Sequence, residues 1–427
     1  MGVSPVRVLV IGGGYVGVTV ATVFCERGHE VTLCERDGEK LARLRRGKLP
    51  FFEPGLQEAY AAAQTKGLKP VQRVDRELAA WADAVFLCTG TPAGHGGELD
   101  TTGLFELCKA LPPLRRDCVL AVKSTVNPGT TDALAALLYA RGYRCSVAFV
   151  PEFLSQGRAL ADARSPSRVV LGVGSERAKA ILARLYEGLP IVSMRRKEAE
   201  LVKLAANAYL AVRLAFFGEL AALCSALDVE YGTVAKAVGM DPRIGGSYMD
   251  TGAGFGGSCL PKDSAALLSC SGRYSLPMTV VSGALAANER HKLLPLITLH
   301  RYYRSVRNMT IAVLGASFKP DTDDTRNSPG MELVESLVGE GAKVRLYDGA
   351  AKTHLKGVTP CRTAKEALVG ADAAIVMTAW KEVTELTPQD FLSAMKEPLI
   401  IDGRACLDGA ALKKAGAAYE RIGGRVL

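Results

Sequence analysis

Short apolar runs alternate with helix-like patterns through the first part of the chain. Six of these runs predict buried strands, and each ends at a glycine, a proline or a polar residue: VRVLVIGG, HEVTLCE, DAVFLCTG, CVLAVKSTV, CSVAFVPEF and SRVVLGVG. Strands that alternate with helices build a parallel sheet covered by helices on both faces. Residues 1–193 are therefore predicted to form a doubly wound, Rossmann-like α/β domain.

Strand patterns are absent between about residues 194 and 302. A long helical pattern begins at Lys197 and runs past Leu227, and further helical segments follow Lys262 and Pro277. The long helix carries both a polar stripe and a strongly apolar stripe, which is typical of a dimerisation element. Residues 194–302 are therefore predicted to form a central helical domain through which the chain forms a homodimer.

The apolar stretch 201–229 in this region is not predicted to cross a membrane. Lys203, Arg213 and Glu219 interrupt it, and a membrane span needs about 20 predominantly apolar residues. The N-terminus also lacks the layout of a signal peptide. We therefore expect a cytoplasmic protein with no membrane partner.

Strand patterns return in the last part of the chain, in MTIAVLGASF, AKVRLYD, DAAIVMT and LIIDGR. They repeat the order that opens the chain, which is strand, glycine turn, helix, and a strand that ends in an acid. Residues 303–427 are therefore predicted to form a second Rossmann-like domain. The predicted fold class is α/β, with two doubly wound domains joined by a helical central domain with a long helix.

Composition and charge narrow the function classes. The chain has 427 residues, 48% of them hydrophobic and 23% charged, as in soluble globular proteins. The net charge of +9 is dispersed, which favours either a solvated basic face or attraction of phosphate-bearing ligands, and no nucleic-acid motif accompanies it. The eleven cysteines form no metal-binding spacing, so most are predicted to be small buried residues and no metal is expected.

The first glycine turn has the spacing of a dinucleotide site. Gly12, Gly14 and Gly17 fit GxGxxG between a strand and a helix. In this motif the glycines allow a tight turn, close approach of a pyrophosphate and helix packing, and the helix N-terminus attracts the phosphates. The next strand ends at Glu35, which favours NAD⁺ over NADP⁺ because a carboxylate repels a 2′-phosphate. Arg36 beside it weakens this inference, and a glycine turn without a ligand is the alternative.

A second glycine-rich loop, GFGGSCLPKD at 254–263, carries the chemistry. A cysteine close to a helix N-terminus and a lysine has its thiolate favoured, and one helical turn places Asp263 beside Cys259. A nucleophile with an acid–base partner fits covalent catalysis. The alternative is an incidental buried cysteine in a glycine-rich loop.

Together these motifs resemble the UDP-glucose/GDP-mannose dehydrogenase family, the four-electron nucleotide-sugar dehydrogenases. The resemblance covers nearly the whole chain in the same order, through GGGYVG (12–17), EPGL (53–56), GTP (90–92), KSTVNPGT (123–130), PEFLSQG (151–157), KLAANAYLA (203–211), DPRIG (241–245), GFGGSCLPKD (254–263), ASFKPDTDDTRNSP (316–329) and DGR (402–404).

The resemblance implies NAD as cofactor and two successive oxidations of a sugar CH₂OH group. Cys259 would add to the intermediate aldehyde as a thiohemiacetal, and a second hydride transfer would leave a thioester that water hydrolyses. Lys203 and Asn207, which share one helix face, would stabilise the oxyanion. Asp263 would orient or deprotonate water, with Thr125 and Glu152 nearby.

The resemblance also implies two sets of ligand contacts. The cofactor set comprises Gly12, Gly14, Tyr15, Val16, Gly17, Glu35, Arg36, Lys40, Thr91, Ser124, Thr125, Gln156, Lys262 and Arg326. The substrate set comprises Glu152, Phe153, Leu154, Lys203, Asn207, Arg243, Tyr248, Gly256, Cys259, Phe318, Lys319 and Arg404. Within it, Tyr248 is the expected stacking partner of a pyrimidine, and Arg243 is expected to reach the partner subunit's site.

Gln156 departs from the family pattern, which often has a glutamate at this place. A glutamine keeps the hydrogen-bonding shape without the charge, so a base role moves to Glu152 and Asp263. The expected reaction is oxidation of UDP-glucose to UDP-glucuronate, and the alternative substrates are a UDP-N-acetylhexosamine, GDP-mannose or dTDP-glucose. A catalytically silent binding protein and a two-electron hydroxyacid dehydrogenase are the alternatives from other classes.

Overall fold

The computed structural model describes residues 5–425. These residues divide into two compact units. The first contains the residues up to Ala206 together with Ala265–Leu276, and the second contains Asn207–Ser264 together with the chain from Pro277 onwards. The α/β class and the long central helix are confirmed, and the three-domain boundaries at 193 and 302 stay a prediction.

The first unit contains an eight-stranded sheet in the order β3-β2-β1-β4-β5-β6-β7-β8. Its strands are β1 Arg7–Ile11, β2 Glu30–Cys34, β3 Lys69–Val71, β4 Ala84–Leu87, β5 Val119–Val122, β6 Ser146–Phe149, β7 Val169–Gly172 and β8 Ile191–Met194. Neighbouring strands are parallel except at β6 and β7, which pair antiparallel. The prediction of a wholly parallel sheet is therefore wrong for β7 and β8, which run parallel only to each other.

Helices cover both faces of this sheet. They are α1 Tyr15–Glu26, α2 Gly38–Arg45, α3 Leu56–Thr65, α4 Arg76–Trp81, α5 Thr102–Ala110, α6 Thr130–Ala140, α7 Ala159–Arg164 and α8 Glu176–Leu185. One apolar core packs α1, α3 and α8 against the sheet, with Phe24 and Tyr60 fully buried. A second core packs α5 and α6 against the sheet, with Leu104 and Leu134 fully buried. The doubly wound arrangement is thus confirmed.

The central region contains four helices: α9 Arg196–Ala226, α10 Tyr231–Gly239, α11 Leu260–Gly272 and α12 Thr279–Tyr302. The predicted long helix is confirmed as α9, but it ends at Ala226 and does not continue past Leu227. Asp228 adopts a left-handed φ of 56°, and the Val229 amide donates to the Cys224 carbonyl, which closes the helix. Helix α9 has the length and composition of a membrane span, a property that core helices share, and 39% of its most apolar window is buried.

The second unit contains a six-stranded parallel sheet in the order β11-β10-β9-β12-β13-β14. Its strands are β9 Thr310–Leu314, β10 Lys343–Tyr347, β11 Val358–Pro360, β12 Ala373–Val376, β13 Leu399–Asp402 and β14 Ala418–Arg421. Its helices are α13 Pro329–Gly339, α14 Ala364–Leu368, α15 Lys381–Thr384, α16 Pro388–Ala394 and α17 Gly409–Lys414. The second Rossmann-like domain is confirmed in kind. In each sheet the first three strands run outward from the centre to one edge, and the chain then crosses back to add its remaining strands on the other side of the first strand.

Candidate active site

The glycine turn between β1 and α1 lets a ligand approach its backbone closely. Gly12 has a φ of 114°, and a Cβ there would lie 2.6 Å from the Cys88 carbonyl oxygen. A Cβ on Gly17 would lie 1.8 Å from the Gly12 carbonyl oxygen, so both positions require glycine. Gly14 precedes α1, offers no side chain as a cap, and has nothing within 4 Å of its would-be Cβ. The uncapped N–H groups and the open space fit a pyrophosphate.

Glu35 lies at the end of β2 and is buried. Its Oε2 accepts a hydrogen bond from the Gly13 amide at 2.9 Å, and its Oε1 accepts one from the Asp37 amide at 2.8 Å. A carboxylate oxygen accepts more than one hydrogen bond, so these contacts leave acceptor capacity for a ribose hydroxyl. Arg36 and Lys40 are exposed, and their predicted cofactor contacts stay predictions.

The carboxyl ends of β4 and β5 bring three predicted cofactor residues together. The Thr91 hydroxyl donates to the Thr125 carbonyl at 2.6 Å. The Ser124 hydroxyl donates to the Thr89 carbonyl at 2.6 Å. Ligands of doubly wound domains bind outside the carboxyl ends of the strands, so this edge is where the fold places a cofactor.

Lys203 and Glu152 form a buried ion pair in the first unit. The Lys203 ammonium lies 2.9 Å from Glu152 Oε1 and 2.7 Å from the Glu152 carbonyl oxygen. The Leu154 amide donates to Oε2 at 2.6 Å. Burial alone would raise the pKa of Glu152, but the charge of Lys203 and the Leu154 N–H outweigh it and lower that pKa. Glu152 is therefore a carboxylate held in its charged form.

Lys123, the first residue of KSTVNPGT, was not among the predicted site residues. Its side chain is 6% exposed, and its ammonium donates to the Val150 carbonyl at 3.3 Å and to the Pro151 carbonyl at 3.4 Å. Burial lowers the pKa of Lys123 to about 8. A lysine that directly follows the four buried residues of β5 was the available signal.

The segment after Glu152 is held by several contacts within the first unit. The ring of Phe153 lies 4.2 Å from the Arg168 guanidinium and 5.4 Å from the Lys203 ammonium. The buried carboxylate of Glu53, in the EPGL motif, accepts hydrogen bonds from the Gly157 and Ala159 amides, each at 2.7 Å. The half-buried Gln156 lies in the turn that these bonds fix.

Cys259 lies directly before α11, as the sequence predicted for a helix N-terminus. Of the eleven cysteines, Cys259 is the exposed one. Its Sγ lies 3.6 Å from the Ser258 hydroxyl, and its carbonyl accepts a hydrogen bond from the Asp263 amide at 2.9 Å. An accessible thiol at the start of a 13-residue helix has the surroundings of a reactive cysteine.

Asp263 is 1% exposed and has both carboxylate oxygens engaged. The Asn207 side-chain amide donates to Oδ2 at 2.6 Å, and the Lys262 ammonium donates to Oδ1 at 2.7 Å. The structure thus brings together Asn207, Lys262 and Asp263. Lys262 contacts a carboxylate here, and its predicted cofactor contact stays a prediction.

The glycine-rich loop before Cys259 packs against the connection between β9 and α13. A Cβ on Gly256 would lie 2.0 Å from the Asn327 carbonyl oxygen. Gly257 has a φ of 86°, and a Cβ there would lie 2.9 Å from the Phe318 ring. Larger residues at these places would push the loop away, so glycine is required by close approach.

Two other predicted ligand residues lie on the same connection. Arg326 forms an ion pair with Asp324 at 2.6 Å, and this carboxylate, with a smaller effect from Cys259, raises the pKa of Arg326. The Lys319 ammonium lies 5.7 Å from the centre of the Phe318 ring. The ligand roles of both cations stay predictions.

Arg404 is a cation with donor capacity to spare. Its Nε donates to the Met377 carbonyl at 2.7 Å, and its Nη1 donates to the Gly254 carbonyl at 2.8 Å. Within residues 5–425 its buried Nη2 has no hydrogen-bond partner. Burial lowers the pKa of Arg404 to about 10. An arginine of this kind suits an anionic or carbonyl oxygen of a ligand.

The DPRIG segment forms a loop that Arg213 holds through hydrogen bonds. The Arg213 guanidinium donates to the carbonyl oxygens of Ile244, Gly245 and Ser247 at 3.0, 2.5 and 2.6 Å. Arg243 is 87% exposed at its side chain and pairs with Asp241 at 2.6 Å. Tyr248 is 43% exposed with a φ of 58°, which is uncommon for an aromatic residue. Its stacking role and the reach of Arg243 to a partner subunit stay predictions.

Comparison with protein families covers most of the chain. Residues 6–190 match the NAD binding domain of the UDP-glucose/GDP-mannose dehydrogenase family. Residues 197–290 match the central domain of that family, and residues 312–409 match its UDP binding domain. The three matches follow the order of the predicted domains.

Individual relatives match over nearly their whole length. The UDP-glucose 6-dehydrogenase of Pseudomonas aeruginosa is 34% identical, with 98% of this chain and 97% of the relative covered. A UDP-glucose dehydrogenase structure from the hyperthermophilic archaeon Pyrobaculum islandicum is 34% identical with a TM-score of 0.91, covering 99% of this chain and 98% of that one. A UDP-D-ManNAc dehydrogenase structure from Pyrococcus horikoshii is 27% identical with a TM-score of 0.86, covering 99% and 100%.

Proposed function

This chain belongs to the UDP-glucose/GDP-mannose dehydrogenase family, and we propose that it oxidises UDP-glucose to UDP-glucuronate with two molecules of NAD⁺. The observation that carries the proposal is the exposed Cys259 directly before α11. It follows a loop whose glycines are required because neighbouring atoms lie too close for a Cβ. Two relatives that are 34% identical to this chain are named UDP-glucose dehydrogenases, and they support the choice of sugar.

The first oxidation converts the C6 alcohol to an aldehyde. The Gly12 turn would hold NAD⁺, which would supply the hydride acceptor for C6, and the proton of the alcohol oxygen would pass to water. We assign Lys203 to the stabilisation of negative charge on that oxygen, because its ammonium is already fixed by Glu152 at 2.9 Å. A preorganised cation of this kind stabilises a developing oxyanion without rearrangement.

The second oxidation needs Cys259, because an aldehyde has no hydride to lose until a nucleophile adds to it. The thiolate forms a C–S bond to the aldehyde carbon, and the oxygen becomes the hydroxyl of a thiohemiacetal. The remaining C6 hydride would pass to a second NAD⁺ and the hydroxyl proton to water, which leaves a thioester. Water then attacks the carbonyl carbon, the C–S bond breaks, and the products are a carboxylate, the thiol and a proton released to solvent.

Asn207 and Asp263 are assigned to this second stage. The Asn207 amide is fixed by its 2.6 Å hydrogen bond to Asp263, and we assign its second N–H to the stabilisation of an oxyanion. We assign Asp263 to the orientation of the attacking water, with its charge balanced by Lys262 at 2.7 Å. In the first unit, Glu152 is assigned to hold Lys203 at 2.9 Å, and Thr125 keeps the catalytic role that the family resemblance implies.

The nucleotide of the substrate is assigned to the second unit. The spare Nη2 donor of Arg404 and the backbone of Gly256 suit oxygen atoms of the sugar or diphosphate, and Lys319 adds positive charge. Tyr248 is assigned to stack on uracil through its exposed ring. The match of residues 312–409 to a UDP binding domain supports this assignment.

A homodimer is proposed from the exposed face of α9. Tyr209, Phe216 and Leu223 are 62%, 57% and 54% exposed, and their seven-residue spacing places them on one stripe of the helix. Exposed apolar stripes of this kind mark interfaces between chains. A mass in solution of twice the chain mass would support the dimer, and a monomer would contradict it.

The substrate is tested with a panel of UDP-glucose, UDP-N-acetylmannosamine, GDP-mannose and dTDP-glucose. NADH and sugar acid are measured for each. We expect two NADH per acid with UDP-glucose, and no acid from Cys259→Ala. Cys270→Ala, which changes the cysteine within α11, is the matched control and should keep the ratio.

Each alternative has its own outcome in this panel. Activity with UDP-N-acetylmannosamine and none with UDP-glucose would instead support the sugar of the Pyrococcus horikoshii relative. One NADH per sugar that is insensitive to Cys259→Ala would indicate a two-electron dehydrogenase. Ligand binding without NADH would indicate a silent binding protein.

A further inference from the structure

Asn288 is a buried polar residue to which the proposed reaction assigns no role. It lies on α12, and its side chain is 1% exposed. Its Oδ1 accepts a hydrogen bond from the Phe255 amide at 2.7 Å, and its Nδ2 donates to the Phe255 carbonyl at 3.0 Å. The carboxamide thus pairs with both peptide groups of one residue, as a neighbouring strand would.

Phe255 is the one residue with a side chain in the segment Gly254–Gly257. Glycines have the largest backbone freedom of any residue, so this segment depends on outside contacts for a fixed shape. Arg404 holds the Gly254 carbonyl at 2.8 Å. Asn327 holds the Gly257 carbonyl at 3.2 Å. Asn288 fixes the residue between these two points, at both its N–H and its carbonyl.

We propose that Asn288 is a positioning residue, which holds Phe255 and thereby places the Cys259 thiol for addition to the aldehyde. It acts through the loop, four residues before the nucleophile, and does not contact reacting atoms. The inference rests on the proposed function, in which the thiol serves the second oxidation. Loss of the Asn288 contacts should therefore slow the second oxidation selectively.

Asn288→Leu keeps the branched shape of the side chain, with a larger volume, and removes both hydrogen bonds. A displacement of about 1 Å at a reacting group lowers a rate by up to about 100-fold, so we expect the second oxidation to slow by about 10-fold to 100-fold. The ratio of NADH to consumed sugar should then fall from two towards one, and hydroxylamine should trap an aldehyde. A merely structural role would lower both oxidations with the folded fraction and keep the ratio at two.

Asn127 offers a matched control in the first unit. Its Nδ2 donates to the Leu99 carbonyl at 2.9 Å, and its Oδ1 accepts from the Leu99 amide at 3.2 Å. Asn127→Leu therefore removes the same pair of hydrogen bonds from a different loop. We expect its NADH ratio to stay at two even where its melting temperature falls as far as that of Asn288→Leu.

A second readout needs no sugar. Alkylation of Cys259 by iodoacetamide is followed by peptide mass in the folded protein, for the unmodified chain and both variants. We expect Asn288→Leu to change the rate by about threefold or more and Asn127→Leu to leave it unchanged. Should Asn288→Leu not fold, Asn288→Asp, which keeps the volume and the acceptor for the Phe255 amide, takes its place with the same expectation.

The two readouts separate the two hypotheses. A ratio of two together with an unchanged alkylation rate in the Asn288 variant overturns the positioning role and leaves the proposed function standing. A ratio of two in Cys259→Ala overturns the thiol chemistry. In that event the alkylation rate still decides whether Asn288 places Cys259.

Discussion

Replacement of Lys123 tests the electrostatics of the first unit. The Lys123 ammonium is buried, and it donates to the Val150 and Pro151 carbonyls and to the Tyr186 hydroxyl at 3.3, 3.4 and 3.4 Å. Burial is the largest influence on this group and lowers its pKa from 10.5 to about 8. No carboxylate lies within ion-pair distance of the ammonium among the described residues.

Four titratable groups share the surroundings of Lys123. Cys88 and Glu152 oppose the decrease in its pKa, and the ammonium of Lys203 adds to it. The Tyr186 hydroxyl accepts its hydrogen bond at 3.4 Å. Burial raises the pKa of Cys88 to about 12, so the thiol stays neutral through the range in which Lys123 loses its proton.

The shift sets a pH dependence of stability with a definite sign. Between pH 8 and 10.5 the unfolded chain holds a proton at Lys123 that the folded chain has released, so stability rises with pH in this window. The fall from 10.5 to about 8 is worth about 3 kcal/mol, because each pKa unit is worth about 1.4 kcal/mol. Below pH 8 both states are protonated, and above 10.5 neither state is, so the contribution does not change further.

Lys123→Met removes this dependence, and thermal unfolding measures it. An unfolding entropy of about 2 cal/mol/K per residue gives about 0.9 kcal/mol/K for a chain of this length. The Tm of the unmodified protein should therefore rise relative to that of Lys123→Met by about 3 °C between pH 7 and pH 10. Lys413→Met, at an exposed lysine, is the control for general charge effects. If the difference in Tm between the unmodified protein and Lys123→Met changes with pH no more than the same difference for Lys413→Met, the reasoning is refuted.

Three further perturbations have expected outcomes. Lys203→Met leaves the Glu152 carboxylate buried without its cation and should destabilise the protein by about 3–5 kcal/mol, measured as a fall in Tm that Lys413→Met, at an exposed lysine, should not show. Gly256→Ala places a Cβ 2.0 Å from the Asn327 carbonyl and should abolish acid formation while the protein stays folded by circular dichroism; normal acid formation would contradict the required close approach. Glu35→Ser removes the charge expected to repel a 2′-phosphate and should raise the NADP⁺ to NAD⁺ ratio of kcat/KM by about 10-fold, or about 1.4 kcal/mol; an unchanged ratio would contradict that role.

The fold was predictable wherever a strand is buried along its whole length. The four residues of β4, AVFL, and those of β5, VLAV, are all buried, and their apolar runs were recognised. The sequence analysis missed the edge strands β3 and β8. The first has three residues, KPV, none of them buried, and the second, IVSM, is half-exposed. Such strands lack the apolar run because one side faces solvent, and the reversal of β7 and β8 depends on pairing that no local pattern encodes.

The site was predictable where chemistry requires fixed spacing within one segment. The glycine turn at Gly12 and the placement of Cys259 before a helix both depend on neighbours in sequence. The pairing of Lys203 with Glu152 joins residues 51 positions apart, and that of Asn288 with Phe255 joins residues 33 apart. Periodicity carries no information on such partners, because it reports which face of an element is buried and not which side chain lies opposite.

These distant pairings change the interpretation of the two carboxylates assigned to acid–base work. A general base must bind the proton it removes, and its affinity for that proton falls as cations and N–H groups stabilise its charged form. Glu152 is held by Lys203 and the Leu154 amide, which lower its pKa, and Asp263 is held by Asn207 and Lys262. Glu152 is thus suited to orient a donor, and a water molecule aligned for attack on a thioester needs orientation before it needs a strong base. The proposed hydrolysis therefore depends on this alignment and on the oxyanion contacts.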